Sequence, residues 1–427
     1  MLRSGRSWIA VLTAGVLAGT TAVLGGCGTD PAAGQSASGV PPAVAKAKAG
    51  GTAVDPAIVQ ADNTFGLNLL NALQQQMAST SSAPTDIAMS PLSGAIALQV
   101  LYNGAAGSTQ QAMGAVLQLG ALDVQQVNDD NAALQASLIG ADPKVQLTIA
   151  NSLWIHAGSS QVSMAFTQTD QQYYGATVGD LAGAPDTVNA WIASQTGGLI
   201  TNVLPPADYS HAVAVIVNAV YFKGQWTTAF DVSKTTPAPF SAADGTTVTV
   251  QMMHQSGTYE YLAGANFQMI RLPYGQGRMS MLIVLPDNTT TLEAFVAGLT
   301  PNALDSSIAQ MQSTNVDVAL PRFISRYTAK LNPPLTTLGM GIAFQCPLAD
   351  FTPAFPPGTC ITDSEQATMV EVDEAGTVAA ASTTVTIGIE AVPSMPTMTM
   401  DHPFFYAIRD DDTGELLFLG TVQNPSS

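Results

Sequence analysis

The sequence predicts an α+β domain with large mixed sheets, preceded by an export leader and a tether. In the first third, apolar residues recur at helical spacing behind N-cap signals. From residue 212 onward they gather instead in unbroken or alternating runs of strand type. Helices first and strands later imply α+β rather than a regular parallel alternation. Composition supplies the core: 46% of the 427 residues are hydrophobic and 10% are charged, against roughly 25% charged in an average soluble domain. Such a chain is not disordered as a whole.

The amino terminus carries Arg3 and Arg6, then an uncharged apolar run from Trp8 to Gly26, then Cys27. This is the charged-then-apolar form of an export signal, with a transmembrane helix as the alternative. Leu24-Gly25-Gly26-Cys27 resembles the bacterial lipoprotein signal, in which cleavage ahead of the cysteine leaves a lipid-modified terminus. The expectation is a leader over residues 1–26, lipid on Cys27, and a membrane-anchored protein facing outside the cytoplasm. Residues 27–55 are mostly Ala, Gly, Pro, Ser and Lys, which bury too little apolar area to offset ordering, so they read as a flexible tether. Thirteen Lys and Arg face 31 Asp and Glu, for a net charge of −18. That charge repels phosphates and excludes nucleic acid as a partner.

The helical signals come in order. Phe65, Leu69, Leu70 and Leu73 recur at three-to-four spacing. Ser90 and Pro91 supply an N-cap and a first-turn proline ahead of Leu92, Ile96 and Val100. Ser108 with Gln111 fits a capping box, and a further helix opens near Asp186, carries Val188, Trp191 and Ile192, and stops at Gly197-Gly198. Ala212 to Phe222 reads as a strand covered on both faces. Further strands are Thr246 to Met253, Met279 to Leu285, Val316 to Leu320, and a terminal hairpin of Phe404 to Arg409 and Leu416 to Val422 around Asp412-Thr413-Gly414. No Pro- or Ser-rich linker interrupts residues 56–427, so they form one domain.

Chemistry-bearing patterns are scarce. There is no Gly-x-Ser-x-Gly and no Cys-x-x-Cys, and His156, His211, His254 and His402 lie far apart. Neither a hydrolase nor a zinc site is expected, and no cofactor. Gly275-Gln276-Gly277 sits between two strand-like runs and reads as a hairpin turn rather than a phosphate loop. Cys346 and Cys360 are either a disulfide closing a short loop, stabilising by up to about 3 kcal/mol, or two buried thiols.

The unusual stretch is Met369 to Met400. It begins as a strand alternating apolar and acidic residues up to Glu374. Gly376 follows as a pivot. Thr377, Ala379, Ala381 and Thr383 then form one strand face of small side chains, and Thr383 to Ile387 is dense in β-branched residues. Such a face can slide between two existing strands.

At this point residues 56–427 resemble the serpin family of proteinase inhibitors. The resemblance rests on Ser90-Pro91-Leu92-Ser93, Ala150 to Trp154, Asn218 to Trp226, Leu338-Gly339-Met340 with Ala349-Asp350-Phe351, Val372 to Thr377, and Asp401-His402-Pro403-Phe404-Phe405. It implies three sheets, about nine helices and an exposed reactive loop at about 374–400. It also implies a suicide mechanism in which the cut loop becomes a new strand of the large sheet and carries the attacked protease with it. Glu374, Gly376, Thr377, Ala379, Ala380 and Ala381 match the hinge. Counting along the resemblance places the reactive bond between Glu390 and Ala391, with Ile389 or Ala391 as the position before the bond if the register shifts. Ser90, Ser93, Asn218 and Gln366 match a polar cluster under the sheet, and Trp226 the aromatic at its opening. Where the family commonly has histidine, this chain has Gln366, which hydrogen-bonds but does not titrate. The implied partner is a serine, or cysteine-type, protease outside the cell or at its surface, met by a monomer. Non-inhibitory serpins that act as carriers or chaperones, and a ligand-binding surface lipoprotein, are the competing readings.

Overall fold

The computed structural model describes residues 8–17, 53–80, 85–156, 161–376 and 395–426. In chain order these run β1 (Trp8–Leu17), α1 (Pro56–Thr80), β2 (Ile87–Met89), α2 (Pro91–Tyr102), α3 (Gly107–Val116), α4 (Val124–Leu138), β3 (Val145–Ile155), α5 (Met164–Tyr174), β4 (Thr177–Asp180), α6 (Asp186–Gln195) and β5 (Ala212–Gly224). The second half adds β6 (Thr236–Ser241), β7 (Thr247–Ala263), β8 (Phe267–Tyr274), β9 (Met279–Pro286), α7 (Leu292–Ala297), α8 (Pro301–Ala309), β10 (Gln312–Pro321) and β11 (Phe323–Lys330). It closes with α9 (Asn332–Leu335), β12 (Cys360–Val372), β13 (Thr397–Thr399), β14 (Phe404–Asp410) and β15 (Leu416–Val422).

The large sheet has six strands in the order β11-β12-β1-β5-β3-β4. The remaining strands follow one path, β13-β10-β7-β8-β9-β14-β15-β2, with β6 also on β7. The 17-residue β7 makes this path two sheets. Its first part pairs with β6 and its last residues with β8, so β6, β7, β10 and β13 form one layer and β7, β8, β9, β14, β15 and β2 the other. The expected three-sheet α+β fold is thus the observed one.

The core lies between the large sheet and the β14–β15 layer, with α2 inside it. Helix α2 is buried from Pro91 to Leu101 and apolar apart from Ser93 and Gln99, as a helix packed on every side tends to be. Ser90 caps it, accepting a hydrogen bond from the Ser93 amide at 3.2 Å, with Pro91 in the first turn. In β5 every residue but Lys223 is buried, and β9, β14 and β15 are buried along their lengths. The Gly275-Gln276-Gly277 segment is the β8–β9 hairpin turn, with φ of +54° at Gly275 and +96° at Gly277.

Two local expectations are corrected. The capping box at Ser108 does not form. Helix α3 is capped two residues earlier, at Ala106, whose carbonyl takes the Gln110 amide, and its first turn is held by Asp350, whose amide donates to the Thr109 hydroxyl. The strand expected over Thr246 to Met253 continues to Ala263, because its polar second half pairs along β10. Among the described residues no helix is long and apolar enough to cross a membrane.

One buried polar junction has a thermodynamic consequence. Asp62 of α1 is fully buried. It accepts a hydrogen bond from the Gln99 side chain at 2.7 Å through one oxygen, and its other oxygen has no partner. Burial pushes Asp62 up to about 8 against the opposing Gln99 bond, and burial with Asp62 and Asp410 nearby raises Glu415 well above the carboxylate range. A raised acid stabilises the fold fully below its unfolded value near 3.8. That contribution fades as pH rises towards 8, because the unfolded chain ionises first. Asp62→Asn keeps the acceptor for Gln99 and cannot ionise. Thermal unfolding should show it several degrees more stable than the parent at pH 8 and nearly equal at pH 4.

Candidate functional site

The site is the carboxyl end of β12 and the opening of the large sheet beside it. Strand β12 ends at Val372, and the chain then turns back on itself, with Asp373 bridged to Gly376. The turn is closed by the Asp373 carboxylate, which accepts from the Ala375 amide at 2.9 Å. Gly376 has φ of +82°, and a Cβ there would lie 2.3 Å from the Trp226 amide nitrogen and 2.9 Å from the Gly224 carbonyl oxygen. Only glycine fits, for reasons of both backbone dihedral and space.

Trp226 clamps this turn. Its amide donates to the Ala375 carbonyl at 3.1 Å, its indole Nε1–H donates to the Asp373 carbonyl at 2.9 Å, and the Phe230 amide donates to the Glu374 carbonyl at 2.8 Å. The indole is itself fixed by stacking on Tyr274, with centroids 4.3 Å apart and planes 11° apart. Glu374, only 5% exposed, turns its carboxylate onto Arg322, 2.7 Å from Nε and 2.5 Å from Nη2, and accepts the Thr235 hydroxyl. Burial alone would raise Glu374. The Arg322 and Thr235 contacts outweigh it and hold the carboxyl below its ordinary value. Asp373 has no such cation in contact, and burial together with Glu371 and Glu374 pushes it up to about 6.

A second cluster lies under the middle of the sheet, where the N-terminus of α2 is tied to both β12 and β5. On the β12 side, Gln366 Nε2 donates to the Ser90 carbonyl at 3.0 Å, and the Ser90 amide donates to Gln366 Oε1 at 3.3 Å. On the β5 side, the Ser93 hydroxyl donates to Asn218 Oδ1 at 2.5 Å. Asn218 Nδ2 donates to Asn151 Oδ1 at 2.6 Å, and Asn151 Nδ2 to the Tyr174 carbonyl at 2.7 Å. Ser90 also donates to the Leu417 carbonyl at 2.7 Å, linking the cluster to the other layer. Every member is buried, and a satisfied buried network of this kind fixes one arrangement of the strands above it.

The structure therefore brings Ser90, Ser93, Asn218 and Gln366 together, and places Trp226 with Glu374 and Gly376 at the end of β12. Cys346 and Cys360 are joined in a disulfide with Cα atoms 5.2 Å apart, pinning the start of β12 at the end opposite the hinge. Thr377, Ala379, Ala380, Ala381, Glu390, Ala391 and Cys27 lie outside the described residues. Sequence reasoning missed Arg322, Thr235, Phe230, Tyr274 and Asn151. Only Asn151 carried a signal, as an amide in a run that is otherwise apolar apart from Ser152. Among the described residues, no group of three or more His, Cys, Asp or Glu is placed to hold a metal ion.

Comparisons with known proteins agree with this geometry. The family model described as "Serpin (serine protease inhibitor)" matches residues 60–425. Serpin B6 of Macaca fascicularis is 30% identical over 383 residues, covering 86% of this chain and 99% of the relative. An uncharacterised serpin-like protein of Thermococcus kodakarensis is 31% identical and covers 86% of each chain. Among solved structures, the thermophilic serpin tengpin in its native state superposes with a TM-score of 0.78 at 27% identity, over 87% of this chain and 95% of that one.

Proposed function

Because this chain belongs to the serpin family, we propose that it is a suicide inhibitor of proteases that act outside the cytoplasm. A target serine attacks the carbonyl carbon of Glu390, the Glu390–Ala391 bond breaks, and the Ala391 nitrogen leaves with a proton. The protease is left as an ester on Glu390. The severed segment from Thr377 onward then enters the large sheet beside β12 before water can hydrolyse the ester. Each new ladder bond contributes only about 1 kcal/mol net, but a dozen with buried side chains reach roughly 10 kcal/mol, the size of a domain's stability. That is enough to distort a bound active site.

The observation that carries this reading is the hinge. Strand β12 runs into a turn that only glycine permits, and the next residues are small and able to follow it into the sheet. The description of the family supports protease inhibition in general. Glu390 assigns the target to enzymes that accept an acidic residue, such as glutamyl endopeptidases, while cleavage after Ile389 or Ala391 assigns it to elastase-like or subtilisin-like ones. The lipid expected on Cys27 would hold the inhibitor at the outer face of the membrane.

The test is incubation of the chain lacking residues 1–26 with a panel of serine and cysteine proteases, followed by denaturing electrophoresis and terminal sequencing of the released fragment. A covalent adduct with a new terminus at Ala391 is the expected result. Nicking without an adduct and without a gain in heat resistance would instead make the protein a non-inhibitory carrier.

A further inference from the structure

The place beside β12 that a cut loop would take is occupied. Strand β1, from the apolar leader, lies between β12 and β5 and pairs with both along its whole length, from Trp8 opposite Cys360 and Ala212 to Leu17 opposite Val370 and Phe222. Its midpoint, Thr13, is in register with Gln366 on one side and Asn218 on the other, the two residues tied to α2 from below. Neighbouring strands stand about 4.8 Å apart, so the gap between β12 and β5 holds one strand and no second.

Direction makes the competition explicit. Strand β1 runs parallel to β12, whereas a segment that reverses at Gly376 must enter antiparallel to it. The two cannot share a ladder, and β1 leaves neither facing edge of β12 or β5 unpaired. Residues 8–17 carry no charge, so nothing in their sequence opposes interior placement.

We propose that residues 8–17 are an internal plug. A chain that keeps them has a completed large sheet and is locked, and their removal, as by cleavage ahead of Cys27, opens the gap and arms the trap. The inference rests on the trapping mechanism proposed above. Inhibition is then tied to maturation, and a precursor still carrying its leader is inert towards proteases of the compartment where it is made.

Two measurements on the full-length chain test this. Hydrogen–deuterium exchange read by mass spectrometry should show residues 8–17 protected, as a strand paired on both edges must be. The second compares the parent with Ala14→Pro, which removes a ladder donor at the centre of β1, after treatment of each with the protease panel. The parent should be nicked without adduct or gain in unfolding temperature, and the variant should give both. Free exchange over residues 8–17, or adduct formation by the intact parent, overturns the plug and leaves the trapping mechanism standing. Protection of residues 8–17, together with a variant that loses this protection yet is only nicked, overturns the trapping mechanism, and the proposed lock with it.

Discussion

Thr377→Arg is expected to abolish covalent trapping while leaving cleavage at the reactive bond intact. Thr377 follows Gly376 directly, so it is the first side chain to pass the clamp formed by Trp226, Phe230 and Tyr274. Threonine is small and β-branched, suited to a strand. Arginine carries a charge into a region whose nearby cation, Arg322, already neutralises Glu374. A buried charge without a partner costs several kcal/mol, enough to slow insertion below the rate at which water reaches the ester. In the form of the chain that traps protease, the variant should therefore be cleaved repeatedly as a substrate, and Thr377→Ala should still form adducts. An Arg variant that traps as well as the parent would show that insertion does not begin at the hinge.

What the sequence disclosed followed from local chemistry. Ser90 and Pro91 marked the start of α2 because an N-cap and a first-turn proline satisfy backbone needs within one turn. The run around Val215 marked a doubly covered strand because it has no polar face. The Leu416–Val422 strand appeared with its observed limits, since Gly414 ends the turn before it. Partners brought together by the fold were not legible. Arg322 meets Glu374 from 52 residues away and Thr235 from 139, and no spacing rule encodes either contact. Residues 8–17 are the clearest case. A continuous apolar run suits an export signal, a buried helix or a strand paired on both edges. What selects the strand is pairing with β12 and β5, both distant in sequence. The Ser108 capping box failed for a related reason, because Asp350 supplied the contacts from another part of the chain.

Reversing the charge at the hinge is the second change with a large expected effect. In Glu374→Lys the new ammonium faces Arg322, and the arginine loses a partner whose side chain is 6% exposed. Breaking an ion pair with one buried member should cost about 2–4 kcal/mol, the lower part reflecting the solvent contact of Arg322. Arg322→Glu combined with Glu374→Arg should recover part of that loss, and the double-mutant cycle in thermal unfolding measures the coupling. The pH dependence separates the two acids of the turn. Glu374, held low, contributes stability that is present above its unfolded value near 4.5 and is lost as pH falls through its folded value. Asp373, raised to about 6, contributes most below 3.8 and loses that contribution as pH rises through 6. Asp373→Asn should therefore raise stability above pH 6 and leave the acid limb unchanged, whereas Glu374→Gln should weaken the acid limb. If the acid limb is undiminished in Glu374→Gln, the Arg322 contact is not what lowers Glu374.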